Sequence, residues 1–201
     1  MLKHIFVKNG NKTMILLHGT GADEKDLLPL GKYINSDASL LSFRGRVNES
    51  GNNRFFKRIS PGVYDLESFK LETKALKEAI IKYTKEYNIK LEDCTIVGFS
   101  NGANIAQGLI KDYPELIKNY ILLSPDYINP NDSFSGLKDL NIFISTSKDD
   151  PMINYEMIIN LIKDLRKHGA NLKLTKTYGH QIIKEVIDEA IIWFKEVNNI
   201  V

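Results

Sequence analysis

This chain of 201 residues contains a single cysteine, Cys94, so no internal disulfide can form, and that usage suits a reducing compartment. Long apolar runs are missing as well. None approaches the roughly 18 residues needed to cross a bilayer, which excludes a spanning helix and argues against stable membrane association. The first ten residues have too short an apolar centre for a secretory signal, and they read instead as a first strand ending in an Asn9-Gly10 turn. An excess of one charge is also lacking: the formal net charge is +2, which gives no reason to expect nucleic acid as a partner. There is no internal repeat and no low-complexity linker. Among the four histidines, His4, His18 and His168 show no ligand spacing, so no metal site is expected. With 43% hydrophobic and 26% charged residues, the expectation is one cytoplasmic domain spanning 1–201 with a full-sized core.

What is present is an alternation of strand and helix patterns. Strand-like runs occur at Met14–Leu17, Ser39–Phe43, Thr95–Val97, Tyr120–Leu123, Asn141–Thr146 and Leu172–Thr177. Helical spacing occurs at Asp26–Ile34, Phe69–Tyr87, Asn104–Ile110, Tyr155–Lys167 and Gln181–Phe194. That rhythm predicts an α/β protein with a mostly parallel central sheet and helices on both faces. One stretch breaks it. Residues 44–65 show no regular pattern and predict an irregular loop, which is in general either functional or a surface excursion. Its Phe55 and Phe56 are candidate substrate-binding residues on one reading and anchors to the core on the other. Arg54, Lys57 and Arg58 could hold an anionic substrate, but three basic residues in a loop are more often simply solvated, and no role rests on them.

Four further segments carry chemistry. Gly98-Phe99-Ser100-Asn101-Gly102 lies between a strand and a helix, where a G-x-S-x-G turn lifts a serine hydroxyl above the sheet edge. Downstream, Ser147-Lys148-Asp149-Asp150-Pro151 follows one strand and Tyr178-Gly179-His180 follows the next. The order serine, acid, histidine is that of a nucleophile, its orienting carboxylate and its base. Asp149 and Asp150 are adjacent, and spacing does not choose between them; Asp126, after the preceding strand, is a weaker rival. Upstream, His18-Gly19-Thr20-Gly21 opens from the second strand, where a glycine-rich loop supplies one backbone N–H to a developing oxyanion. The residue after the serine, Asn101, supplies the other.

With these residues in view, the chain resembles the phospholipase/carboxylesterase family of small α/β-hydrolases, which includes acyl-protein thioesterases. The likeness runs nearly end to end and rests on Leu17–Glu24, Arg44–Gly51 with Arg54-Phe55-Phe56, Gly98–Asn104, Asp150-Pro151 and Gly179-His180. Residues 44–56 are similar to a bacterial carboxylesterase branch. The resemblance implies Ser100 as nucleophile, Asp150 as acid, His180 as base, and Thr20 with Asn101 as oxyanion donors. It implies a serine carboxylesterase for short- to medium-chain small-molecule esters, with no cofactor, and it leaves room for a homodimer. Acyl-protein thioesterase or lysophospholipase activity is the near rival, and a non-catalytic ligand-binding protein on the same scaffold is the alternative of another class. The chain departs from the family pattern at Met152-Ile153-Asn154, a change expected to alter the loop rather than the triad.

Overall fold

The computed structural model describes residues 1–60 and 62–200. In chain order, β1 (His4–Val7) and β2 (Thr13–Leu17) precede α1 (Leu28–Ile34) and β3 (Ser39–Phe43). Two small hairpins follow, β4 (Val47–Glu49) with β5 (Asn52–Arg54), and β6 (Arg58–Ser60) with β7 (Val63–Tyr64). The remaining elements are α2 (Leu66–Glu86), β8 (Cys94–Phe99), α3 (Asn101–Asp112), β9 (Asn119–Leu123), β10 (Asn141–Thr146), α4 (Tyr155–Lys167), β11 (Asn171–Lys176) and α5 (Lys184–Val197). The central sheet has seven strands in the order β1-β3-β2-β8-β9-β10-β11, and every pair is parallel except β1 with β3. The alternation of patterns therefore does correspond to a mostly parallel sheet.

Its strands are apolar on both faces because both faces are covered. In β2, Ile15 and Leu17 point into one core with Leu76 and Ile80 of α2, Leu109 of α3 and Leu161 of α4. Met14 and Leu16 point into a second core with Ile34 of α1 and Val186, Trp193 and Phe194 of α5. Parallel pairing also aligns the strand ends. Leu17 sits beside Gly98, Phe99 beside Leu123, and Thr146 beside Lys176, so the chain leaves five neighbouring strands at one edge.

Several boundaries differ from the sequence pattern for local reasons. Helix α2 begins at Leu66 rather than Phe69, because the Asp65 carboxylate accepts the Ser68 N–H at 2.9 Å and caps the helix there. Helix α5 begins at Lys184, since the Gln181 carbonyl is taken by the Thr177 hydroxyl and Ile183 stays extended. Helix α1 likewise begins at Leu28, with a proline in its first turn. The segment 44–65 is not an irregular loop but carries the two hairpins; its Pro61 lies outside the described residues. The first hairpin closes on Ser50 and Gly51, both at positive φ (51° and 89°), the backbone that a two-residue hairpin turn requires. Its strands are too short and too polar to show an apolar alternation.

Helices α2 and α3 meet closely at Gly108. A Cβ there would lie 2.2 Å from the Oγ1 of Thr73, which is buried and donates to the Phe69 carbonyl at 2.8 Å. An alanine in a helix ordinarily gains about 1 kcal/mol over glycine. Here the overlap dominates, so Gly108→Ala is expected to lower the unfolding free energy by about 1–3 kcal/mol in urea titrations. Adding Thr73→Ala should recover part of that loss; a stabilised Gly108→Ala protein would show that the interface yields.

Candidate active site

The turn between β8 and α3 holds Ser100 at φ 50° and ψ −113°, a sparsely populated backbone conformation. It persists because the surroundings determine it. The Ser100 N–H donates to the Leu123 carbonyl of β9 at 2.9 Å, and the Ser100 carbonyl accepts from Asn104 at 2.9 Å. The start of α3 is pressed against the end of β2 so tightly that a Cβ on Gly102 would lie 1.9 Å from the Leu17 carbonyl oxygen. That contact is why glycine stands two residues after the serine.

The loops that leave β10 and β11 bring the other two groups to this serine. His180 Nε2 lies 2.8 Å from Ser100 Oγ, and His180 Nδ1 lies 2.7 Å from Asp150 Oδ2. The Asp150 side chain is 3% exposed and its second oxygen accepts the Met152 N–H at 2.8 Å. Asp149 is exposed and makes no contact with the histidine; its N–H donates to the Ser147 hydroxyl at 3.1 Å. The same hydroxyl accepts the Gly179 N–H at 3.2 Å, so Ser147 ties the acid loop to the histidine loop. No sequence pattern marked Ser147. Asp126 is occupied elsewhere, accepting from Tyr64 Oη at 2.9 Å and from the Tyr127 N–H at 2.7 Å. Burial, reinforced by the nearby negative Asp150, holds the Asp126 carboxyl above its ordinary pKa despite those two donors. Burial next to Asp126 likewise pushes the Tyr64 phenol up.

Thr20 and Asn101 border the same cavity as Ser100 and His180. Neither backbone N–H has a partner among the described residues, and that of Asn101 belongs to the first turn of α3, where the helix dipole favours negative charge. Their side chains are tied down: Thr20 Oγ1 accepts from Arg54 Nη1 at 2.9 Å, and Asn101 Oδ1 accepts the Phe55 N–H at 2.7 Å. His18 lies beneath this loop, 1% exposed, with its Nδ1 at 2.6 Å from the Gly19 carbonyl and its Nε2 accepting from the Gly45 N–H at 3.1 Å. These contacts require the neutral imidazole with its proton on Nδ1, and burial depresses its pKa accordingly.

The structure places Phe55 and Phe56, the candidate substrate-binding residues, in the core rather than in the cavity wall. They are 2% and 0% exposed. Phe56 packs edge-on against Phe69 and Tyr64, and Phe55 lies against His18, so both anchor the hairpins to the core. The residues of 44–65 that do line the cavity are Arg54, Arg58, Gly62 and Tyr64, so two of the arginines expected to be solvated border it. The cavity is small, about 60 Å³, and Met152 and Ile153 of the divergent loop form part of its wall. A roomier cleft of about 340 Å³ opens at the opposite strand ends beside Thr13, Ser39 and Tyr87, away from the serine. Cys94 is buried, and desolvation pushes its thiol up to about 12, which leaves it unreactive near neutral pH. Among the described residues, no group of three or more His, Cys, Asp or Glu side chains is placed to hold a metal, and no helix is long and apolar enough to cross a membrane.

Comparison with known proteins is consistent along the whole chain. The phospholipase/carboxylesterase family model matches residues 7–197. The Bacillus subtilis protein "Putative hydrolase MhqD" is 37% identical over 197 residues, covering 97% of this chain and 98% of that protein. The crystal structure of a Bacillus cereus carboxylesterase superposes with a TM-score of 0.93 at 34% identity, covering 98% of this chain and 94% of the other. A Mesorhizobium loti carboxylesterase gives 0.89 at 27% identity, with 96% and 94% covered. The architecture is the α/β-hydrolase fold.

The neutral His18 links the Gly19-Thr20 loop to pH. Its folded pKa lies below 6.5, so the unfolded chain takes up the proton first as pH falls. The stability it contributes is complete above 6.5 and is lost as pH drops from there through the depressed folded value. The His18 imidazole is expected to titrate with a midpoint under 6.5 by NMR, with Tm falling over the same range. A midpoint at or above 6.5 would contradict the buried neutral form.

Proposed function

Since the chain belongs to the phospholipase/carboxylesterase family, we propose that it is a serine carboxylesterase acting on small-molecule esters of short acids. The observation that carries this reading is the hydrogen-bonded chain from Ser100 through His180 to Asp150, at 2.8 and 2.7 Å. In the proposed reaction His180 Nε2 takes the Ser100 proton as the hydroxyl oxygen attacks the ester carbonyl. The Asp150 carboxylate accepts the Nδ1–H, holds the productive tautomer and stabilises the imidazolium. The tetrahedral oxyanion is received by the Thr20 and Asn101 N–H groups, which stabilise charge present only in the transition state. The imidazolium then protonates the leaving alkoxide, and water, activated by the same histidine, releases the acid from the acyl-enzyme.

The cavity supports the short end of the range. Pockets that enclose drug-sized ligands run to about 300–1,000 Å³, whereas this one is about 60 Å³. Thioesters would pass through the same steps, but so small a cavity favours neither a long acyl chain nor a lysophospholipid tail.

Hydrolysis of p-nitrophenyl esters from acetate to laurate tests the reading. The rate is expected to peak at acetate to butyrate and to fall by on the order of a thousandfold or more in Ser100→Ala. Equal rates for both proteins would sink it. Asp150→Asn is expected to lower kcat by on the order of a thousand- to ten-thousandfold, while Asp149→Asn stays within about twofold of the parent, as for a solvated surface charge. The reverse pattern would move the acid role to Asp149.

A further inference from the structure

Two guanidiniums border the cavity beside Ser100, and the hydrolytic steps use neither. Arg54, on β5, is 3% exposed. Its Nη1 donates to Thr20 Oγ1, its Nε donates to the Phe56 carbonyl at 3.2 Å, and Glu49 Oε2 lies 3.4 Å from that Nε. A guanidinium carries five N–H donors in a planar fork, and Nη2 of Arg54 has no partner among the described residues. Arg58 opens β6 and lines the same cavity. Arg44, Arg46 and Arg54 each have a carboxylate within 4.0 Å, whereas Arg58 has none among the described residues.

The negative groups nearby are already committed. Glu49 accepts the Arg58 backbone N–H at 2.8 Å and faces Arg54. Asp126 is turned to Tyr64 and to the Tyr127 N–H, and burial favours its neutral form. Asp150 is bound to His180. The two arginines also act on each other: burial first, and then the charge of Arg58, make it harder for Arg54 to stay protonated. An anion between them would relieve that repulsion and supply the exposed Arg58 with a counter-ion beside the buried guanidinium of Arg54, where charge-assisted hydrogen bonds are strongest.

Building on the esterase reading, we propose that the acid portion of the substrate itself ends in a carboxylate. The preferred substrates are then half-esters of small dicarboxylic acids, their free carboxylate held by Arg58 and the open edge of Arg54. A cavity of about 60 Å³ has room for a short spacer and a carboxylate, and not for an extended alkyl chain. A methyl end in the same place would take water from the Arg58 guanidinium and give neither arginine a partner, which is unfavourable.

Ethyl hydrogen succinate and ethyl butyrate test this directly, since a carboxylate replaces a methyl group at the same chain position. With ethanol release as readout, kcat/KM for the half-ester is expected to exceed that for the butyrate ester by about tenfold or more. Arg58→Gln should bring the ratio close to one, and Arg58→Lys should keep part of the preference. A second arm needs no turnover. Succinate is expected to raise the Tm of Ser100→Ala and to leave the Tm of the Ser100→Ala/Arg58→Gln protein unmoved. A preference for butyrate, or a ratio that Arg58→Gln does not change, overturns the proposal. Failure to hydrolyse either ester, together with an Arg58-dependent succinate shift, would fail the esterase reading and uphold the anion pocket.

Discussion

The contact between Gly102 and the Leu17 carbonyl is the constraint on which the site depends. It jams the first turn of α3 against the end of β2, and so leaves the chain no relaxed route from β8 into the helix. Ser100 absorbs the mismatch at φ 50°, a conformation that costs about 1–3 kcal/mol. The bond from its N–H to Leu123 keeps the turn in place, and the parallel sheet on either side makes that bond rigid. The same turn aims the hydroxyl outward and frees the first N–H of the helix beside it, so strain, the proposed nucleophile and the proposed oxyanion donor arise from a single piece of backbone.

Around this point the sheet acts as an alignment device. In-register parallel strands end at a common edge, and the loops after β2, β10 and β11 each contribute one element of the site. The loops are not left to find their own positions. Ser147 spans the acid and histidine loops, and Asp150 is fixed by its own turn at Met152.

The hairpin β4–β5 braces the remaining loop. His18 bonds Gly45, Arg54 bonds Thr20, Asn53 bonds both Ala22 and Gly21, and Phe55 bonds Asn101. Most of these bonds join a segment without a regular sequence pattern to the loop proposed to receive the oxyanion. The hairpin was illegible because three-residue strands of polar residues carry no periodic burial signal. Its two phenylalanines suit substrate contact and core anchoring equally well as a sequence, yet both side chains went inward while Arg54 and Arg58 border the cavity. Solvated arginines and pocket arginines look the same in a sequence. Only the partner, 34 residues away for Arg54 and Thr20, separates them.

The sequence by itself determined whatever local order can encode: alternating strands and helices, apolar runs buried on both faces, and the serine, acid and histidine motifs each at a strand end. Those signals are legible because a strand–turn–helix unit is specified by neighbouring residues. Residue spacing left open which aspartate reaches His180, and only the family resemblance pointed to Asp150; tertiary structure alone decided that Phe55 and Phe56 lie in the core and that Arg54, Arg58, Tyr64 and Asp126 converge on one small cavity. Each of these depends on the direction of a side chain relative to groups far along the chain, up to 80 residues away for His180 and Ser100. Directions of that kind are set by how sheets and hairpins pack, a physical outcome that no spacing of residues states.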